Sequence, residues 1–380
     1  MSRLRAGLAP LLLLAVSVAG SLALGECALR ALHREPFGFY WMSAEGLPIH
    51  VPNLASVYER EEFRAPVHIN SLGFRDREWT IPKPPGTYRI VALGDSFTEG
   101  MQVGDDETFS ARMREALDTP ERRVDVANLG VSGYGTAEAS AVLRVYGPRL
   151  QPDLVLLCFC LANDLPNNLA TTFCHTEGGR LVCGLPDPPS PRSLAVSHLR
   201  SELAARSQLY QLVRAATSDP FFERIGLHAP SPVQTTPEMP FGRDQYREPR
   251  PAYVEQSLAM TREMFVQLRD LAATLGADTW VVLVPVREQI WDREWNAIVA
   301  SDAHPETLVR NGLQRAVAEQ ARAAGLPVID LYDAFRARNG AAETLDWHVD
   351  AHYDAAGHAL TASEVTDALR ARGIPPAPAR

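Results

Sequence analysis

The chain lacks an excess of basic charge: 46 acidic residues against 37 lysines and arginines give a formal net charge of −9. With no basic stripe to offset phosphate repulsion, a nucleic-acid partner is not expected. Cysteine is scarce, five in 380 residues, and no Cys/His group has the spacing of a zinc site, so neither a metal nor another cofactor is expected. No internal repeat is visible, which removes the solenoid architectures. Charged residues are also few enough, at 22% against 46% hydrophobic, that the bulk of the chain is not expected to be disordered. Mild acidity of this kind speaks to solubility and says little about a substrate.

One long uncharged run is present. Residues 6–25 hold no charge, and Arg3 and Arg5 precede them. About 20 apolar residues span a bilayer, and basic residues ahead of them favour a cytoplasmic N-terminus. The same pattern fits a signal peptide cleaved near Ala23-Leu24-Gly25. Either reading exports the rest of the chain. It is expected in the cell envelope, held to the inner membrane by this helix with the remainder outside the cytoplasm, or secreted. Cys27 does not look like a lipid-attachment site, because Glu26 stands where a small residue is needed. In an exported protein Cys174 and Cys183, which flank a segment centred on Gly178-Gly179, read as a disulfide across a hairpin. Cys158 and Cys160 alternate along an apolar run and read as core.

Three segments are expected: the signal anchor or signal peptide over 1–25, a stalk and packed extension over 26–85, and a catalytic domain over 86–375. Within the last, near-continuous apolar runs at Tyr88–Leu93, Val124–Asn128, Leu154–Cys160, Trp280–Val286 and Pro327–Tyr332 read as strands covered on both faces. Helical patterns at Phe109–Leu117, Ala137–Tyr146, Tyr253–Leu275 and Pro305–Ala324 lie between them. Alternating strand and helix predicts a parallel five-stranded sheet in a flavodoxin-like three-layer α/β/α sandwich, with its site at the carboxyl ends of the strands. Residues 166–250 break the rhythm. They are rich in proline, with an amphipathic stretch near Leu194–Ala216, and read as an insertion over the strand ends, either a lid or ornament.

The chemistry-bearing residues sit where these strands end. The first runs into Gly94-Asp95-Ser96, which places a serine at a strand-to-helix turn. Taken alone, Asp95 and Ser96 could equally be capping a helix. The second ends in Asn128-Leu129-Gly130-Val131-Ser132-Gly133, where glycine permits close approach to a ligand and the Gly133 N–H could donate to an oxyanion. The third ends at Asn163-Asp164, with an amide donor that in isolation is as often a turn residue. Near the C-terminus, Asp350-Ala351-His352 precedes Asp354, which reads as a helix N-cap. A histidine moves protons near neutral pH, and a carboxylate two residues away could hold its ring.

The order Ser, Gly, Asn, Asp-x-His along one sheet edge resembles the SGNH (GDSL-like) hydrolase family over roughly residues 86–372. The resemblance implies Ser96 as nucleophile, His352 as base and Asp350 as its orienter, with an oxyanion hole made by the N–H groups of Ser96 and Gly133 and the side chain of Asn163. The anchor, together with Asn70-Ser71-Leu72-Gly73-Phe74-Arg75-Asp76, is similar to the membrane-anchored bacterial members. Two departures stand out. Leu161 occupies a position that is usually glycine, and the last block reads Asp-x-His where the family has Asp-x-x-His. Asp346-Trp347-His348 is a rival pair with the same short spacing, and His352 is preferred because the Asp354 cap follows it. The implied activity is a serine esterase hydrolysing acyl or acetyl esters, so the expected partner is an acyl-ester or acetylated-glycan substrate. Two alternatives remain. One is acyl transfer to a cell-envelope polysaccharide, and the other is a non-catalytic envelope glycan-binding protein.

Overall fold

The computed structural model describes residues 2–32, 39–216, 241–339 and 344–376. Residues 33–38 of the expected stalk and 217–240 of the expected insertion lie outside them.

The chain opens with α1 (Ser2–Ala31). Its stretch Leu12–Ala31 is long and apolar enough to cross a membrane, with mean hydropathy 1.9 and none of it buried. Two small antiparallel pairs follow, β1 (Tyr40–Met42) with β2 (Pro48–His50) and β3 (Ala55–Glu59) with β4 (Arg64–His68). Val51, Leu54, Val67 and Ile69 from this region bury themselves against Met101 and Ala205, so the extension sits beside the segment that carries Ser96.

The central sheet is built from β5 (Tyr88–Gly94), β6 (Val124–Asn128), β7 (Leu154–Cys160), β10 (Asp278–Val284) and β11 (Val328–Asp330), all parallel. Every residue of β5, β6 and β7 is buried, as runs of β-branched and aliphatic residues require when both faces are covered. The spatial order β6-β5-β7-β10-β11 is the flavodoxin order, which reverses direction between β5 and β7. A crevice opens there beyond the carboxyl ends of the strands. One face carries the core around Val91, Leu93, Leu157, Phe159 and Phe265. The other carries Ile90, Val126, Leu156, Val282 and Val365. Cys158 and Cys160 are buried in the second layer.

Around the sheet run α2 (Ser96–Glu99), α3 (Phe109–Leu117), α4 (Thr136–Leu150) and α5 (Asp164–Ala170). Farther along lie the helices Ala252–Thr274, Gly312–Ala323 and Ala355–Arg370. The helix expected from Pro305 begins only at Gly312. Before it, Pro305–Thr307 forms a single 3₁₀ turn, and Val309 donates its N–H to the Tyr246 carbonyl rather than to a helical partner. The segment after α5 holds the hairpin β8 (Cys174–Glu177) and β9 (Arg180–Cys183), then α6 (Pro191–Arg206) and α7 (Gln208–Ala216). The amphipathic stretch near 194–216 is thus two helices, broken at Ser207, whose hydroxyl caps the second by accepting from the Tyr210 N–H. Cys174 and Cys183 face each other in the β8–β9 register with their sulfurs bonded.

Candidate active site

β5 ends at Gly94, where φ is +159° and an added Cβ would fall 2.8 Å from the Cys158 carbonyl oxygen, so the chain can turn sharply out of the sheet only with glycine there. Asp95 then caps α2, its carboxylate accepting from the Phe97 N–H at 3.0 Å, and Ser96 opens the helix. The neighbouring β6 loop lies directly on this turn. A Cβ at Gly130 would sit 2.5 Å from the Glu99 nitrogen.

Ser96 Oγ lies 2.8 Å from His352 Nε2, and His352 Nδ1 lies 2.6 Å from Asp350 Oδ1. The short Asp-x-His spacing works because Ala351 between them has φ +66°. This left-handed residue folds the carboxylate back onto the ring two positions later. Burial opposes the imidazolium, yet the hydrogen bond and charge of Asp350, with the charge of Asp95, outweigh it and hold His352 above its ordinary value. Burial likewise raises Asp350, but its bond to His352 and the histidine's charge leave it below the usual carboxylate range. The pair is therefore an imidazole made basic by a carboxylate that stays ionised.

The other histidines of this block are placed differently. His348 is exposed and its ring rests near Trp291. Its sequence partner Asp346 is buried and pushed up to about 8, chiefly by desolvation. His358 is buried, pushed down to about 3 by desolvation, and its Nδ1 accepts from the Phe109 N–H, so it works as a helix cap.

Gly133 has φ +83°. Among the described residues, neither its N–H nor that of Ser96 donates to a protein acceptor. Asn163 is partly exposed at the mouth of β7 and stands against the Asp95 carboxyl. Below them Asp164, whose carboxylate accepts from the Cys160 N–H, is held far above its usual range by burial and by the charge of Asp95. Leu161, in the position where glycine was expected, is fully buried in the core and donates its N–H to the Val284 carbonyl. The backbone there is used for packing, and Asn163 still reaches the edge.

Several contributors carry no signal in the sequence. Glu99, fully buried one turn after Ser96, lies 2.5 Å from His50 Nε2 and accepts from the hydroxyl and N–H of Ser132 at 2.5 and 3.2 Å. One carboxylate thus ties the helix that opens with Ser96 to the turn that carries Gly133. Glu62, in the β3–β4 connection, accepts from the N–H groups of Val349 and Asp350 at 2.6 and 3.0 Å, which fastens the histidine loop. The segment around Gly73 supports the carboxyl end of α2 and the chain that follows it. Buried Arg75 donates to the carbonyls of Glu99, Gly100 and Val103. A cavity of about 340 Å³ opens over Ser96 and His352, walled by Tyr40, His50, Tyr58 and Gln102. A second, of about 220 Å³, lies across Ser132 and Gly133, lined by Pro48, Tyr134 and Phe173. Among the described residues no group of three or more His, Cys, Asp or Glu could hold a metal.

The sequence profile of the GDSL-like Lipase/Acylhydrolase family matches residues 92–360. No curated protein matches the chain. Among solved structures it is similar to an α/β hydrolase enzyme from the metagenome of Lake Arreo, Spain. That likeness is at 16% identity and TM-score 0.39, over 75% of this chain and 95% of that one. It is also similar to the lipase/acylhydrolase from Enterococcus faecalis, at 15% identity and TM-score 0.37, over 75% and 96%. An acetylxylan esterase from Geobacillus stearothermophilus has 15% identity and TM-score 0.38, over 76% and 94%.

Proposed function

Since the chain belongs to the GDSL-like Lipase/Acylhydrolase family and is a hydrolase of the SGNH type, we propose that it opens carboxylic esters at Ser96 through an acyl-enzyme. One observation carries this reading: the unbroken line from Ser96 Oγ to His352 Nε2 at 2.8 Å and from His352 Nδ1 to Asp350 Oδ1 at 2.6 Å. A serine hydroxyl is a poor nucleophile at neutral pH unless a base takes its proton as it attacks. His352 takes that proton while Oγ bonds to the ester carbon. The carbonyl oxygen, now negative, is met by the N–H groups of Ser96 and Gly133 and the amide of Asn163. His352 then returns the proton to the departing alcohol, and a water activated in the same way frees the acid. The substrate is an acyl or acetyl ester, with residues 86–375 as the catalytic domain and α1 as a retained membrane anchor that holds it outside the cytoplasm.

The test is labelling of the full-length protein with a fluorophosphonate, alongside turnover of a panel of acyl and acetyl esters. Ser96→Ala is expected to lose both the label and the turnover while keeping the wild-type melting temperature. Asn163→Ala is expected to slow turnover by about 10²-fold through loss of an oxyanion donor. Full esterase activity in Ser96→Ala would overturn the assignment.

A further inference from the structure

α1 does not end free of the folded chain. Residues 6–25 are uncharged, and at 1.5 Å per residue they cover about 30 Å, the depth of a hydrocarbon core. The first charge beyond them is Glu26. Its carboxylate accepts from the Ser207 hydroxyl at 2.9 Å and from the N–H groups of Gln208 and Leu209 at 3.0 and 2.9 Å. It therefore satisfies the free donors at the start of α7. One turn on, Arg30 donates to Glu26 and to the Arg206 carbonyl at the end of α6. The corner between α6 and α7 is thus clasped by the turn of α1 that leaves the apolar run.

The outward faces of these two helices are apolar and exposed. In α6, Val196, Leu199 and Leu203 recur at helical spacing and are 38–62% exposed, and in α7 Leu212 and Val213 are 42% and 52% exposed. The opposite side of α6 is the one that packs. Ala205 is buried, and His198 stacks on Trp41 and bonds to the Met42 carbonyl at 2.7 Å. Within 191–216 there are four arginines and one glutamate, a net +3 in a chain of −9. By helical position Arg192 and Arg200 border the apolar face of α6.

We propose that α6 and α7 lie in the lipid–water interface of the bilayer, with Leu199 and Leu212 among the residues that enter the acyl boundary and Arg192 and Arg200 facing anionic headgroups. The occupant is set by continuity. The face adjoins the helix whose apolar stretch Leu12–Ala31 has none of its length buried, beside the turn where the uncharged run meets its first charge. An apolar face rimmed with arginine is what such an interface takes. Because α6 is stacked on β1, which carries Tyr40 of the cavity wall, this docking would hold the active site at a fixed height above the membrane. The inference rests on reading α1 as a retained anchor.

The experiment uses the full chain with Cys27→Ser, which leaves the buried thiols of Cys158 and Cys160 and the Cys174–Cys183 disulfide in place, and adds one exposed cysteine by Leu199→Cys, Leu212→Cys or, as a control at the amino edge of the sheet, Arg123→Cys. Each added cysteine is labelled with NBD in vesicles of phosphatidylcholine and phosphatidylglycerol, with or without brominated acyl chains. The expected result is loss of most of the emission at 199 and 212 in brominated vesicles and none at 123, with fluorophosphonate labelling unchanged in all three. Unquenched labels at 199 and 212 in protein that resists carbonate extraction would overturn the proposal while leaving the anchor intact. So would a label shielded from lipid but cross-linked to a second copy. A native protein beginning at Glu26 would instead remove the anchor reading itself, and N-terminal sequencing reports that separately.

Discussion

Ala351 carries a backbone conformation that an L-residue adopts at a cost of roughly 1 kcal/mol, and it does so between the two residues that must meet. The left-handed turn is what lets a two-residue spacing do the work of a longer one. Ala351→Gly is expected to keep both activity and melting temperature, since glycine adopts the same φ without strain. Ala351→Val should lose about 1–2 kcal/mol by thermal or urea unfolding, with a matching fall in turnover. Asp350→Asn should lower kcat/KM by about 10⁴, as loss of the orienting carboxylate does in such triads. It should also move the acid limb. In the wild type that limb is held above the ordinary histidine range because Asp350 raises His352 against the pull of burial. With the carboxylate gone, burial is left to lower the imidazole, so the residual activity should rise at lower pH. A pH–rate profile of the two proteins checks this. His348→Ala, on an exposed ring that does not touch Ser96, should leave turnover near wild type.

At the scale of elements, the two loops of the site are held by carboxylates that arrive from elsewhere in the chain. Glu62→Ala removes two bonds to the histidine loop without opening a core cavity. It should lower kcat by about 10- to 100-fold, the usual consequence of misplacing a catalytic group by an ångström or so, with little change in melting temperature. Glu99 is different because it is buried against His50 and Ser132. Glu99→Ala strands both partners and should cost about 3–5 kcal/mol, read as a fall in the denaturation midpoint. Burial raises Glu99, but the charge and bond of His50, with the bonds of Ser132, bring it below its ordinary value. A carboxylate depressed in the folded state contributes stability that is present above its unfolded pKa and lost as pH falls through the folded one. The wild type should therefore lose stability on the acid side, and a conservative Glu99→Gln protein should lose less of its own over the same range. Chemical unfolding between neutral and acidic pH compares the two slopes.

Across the whole molecule the central sheet is flanked by smaller pieces of chain that dock on its helices. The β8–β9 hairpin is bonded by Cys174 and Cys183. It docks on the helix Ala252–Thr274 through Glu263 and Gln267, which accept from the N–H groups of Leu181 and Cys183. Replacing both cysteines by serine should cost about 2–3 kcal/mol, the loop-closure effect expected for so short a ring, measured by denaturant unfolding. Alkylation and mass spectrometry of protein taken from its native compartment should find Cys27 reactive and Cys174 and Cys183 blocked. Free thiols at both positions would count against export to an oxidising space.

The parallel sheet was legible in the sequence because strands buried on both faces must be apolar almost throughout, and their alternation with helices leaves few topologies. Right-handed crossovers fix the hand of each connection, and the observed order β6-β5-β7-β10-β11 brings the ends of β5 and β7, with Ser96 and Asn163, to one crevice. What the sequence could not decide is which distant polar groups support that crevice. Glu62 and Val349 are 287 positions apart, and His50 meets Glu99 only because two short strand pairs pack Val51 and Ile69 against Met101. Such pairings have no period and no local spacing, since they are fixed by packing of apolar faces elsewhere in the molecule. The choice between His348 and His352 was likewise tertiary in origin. Both follow an aspartate by two residues. The loop closes through the bridge between Asp346 and Tyr353, with the Trp347 N–H donating to the His352 carbonyl. That closure turns one imidazole toward Ser96 and leaves the other in solvent.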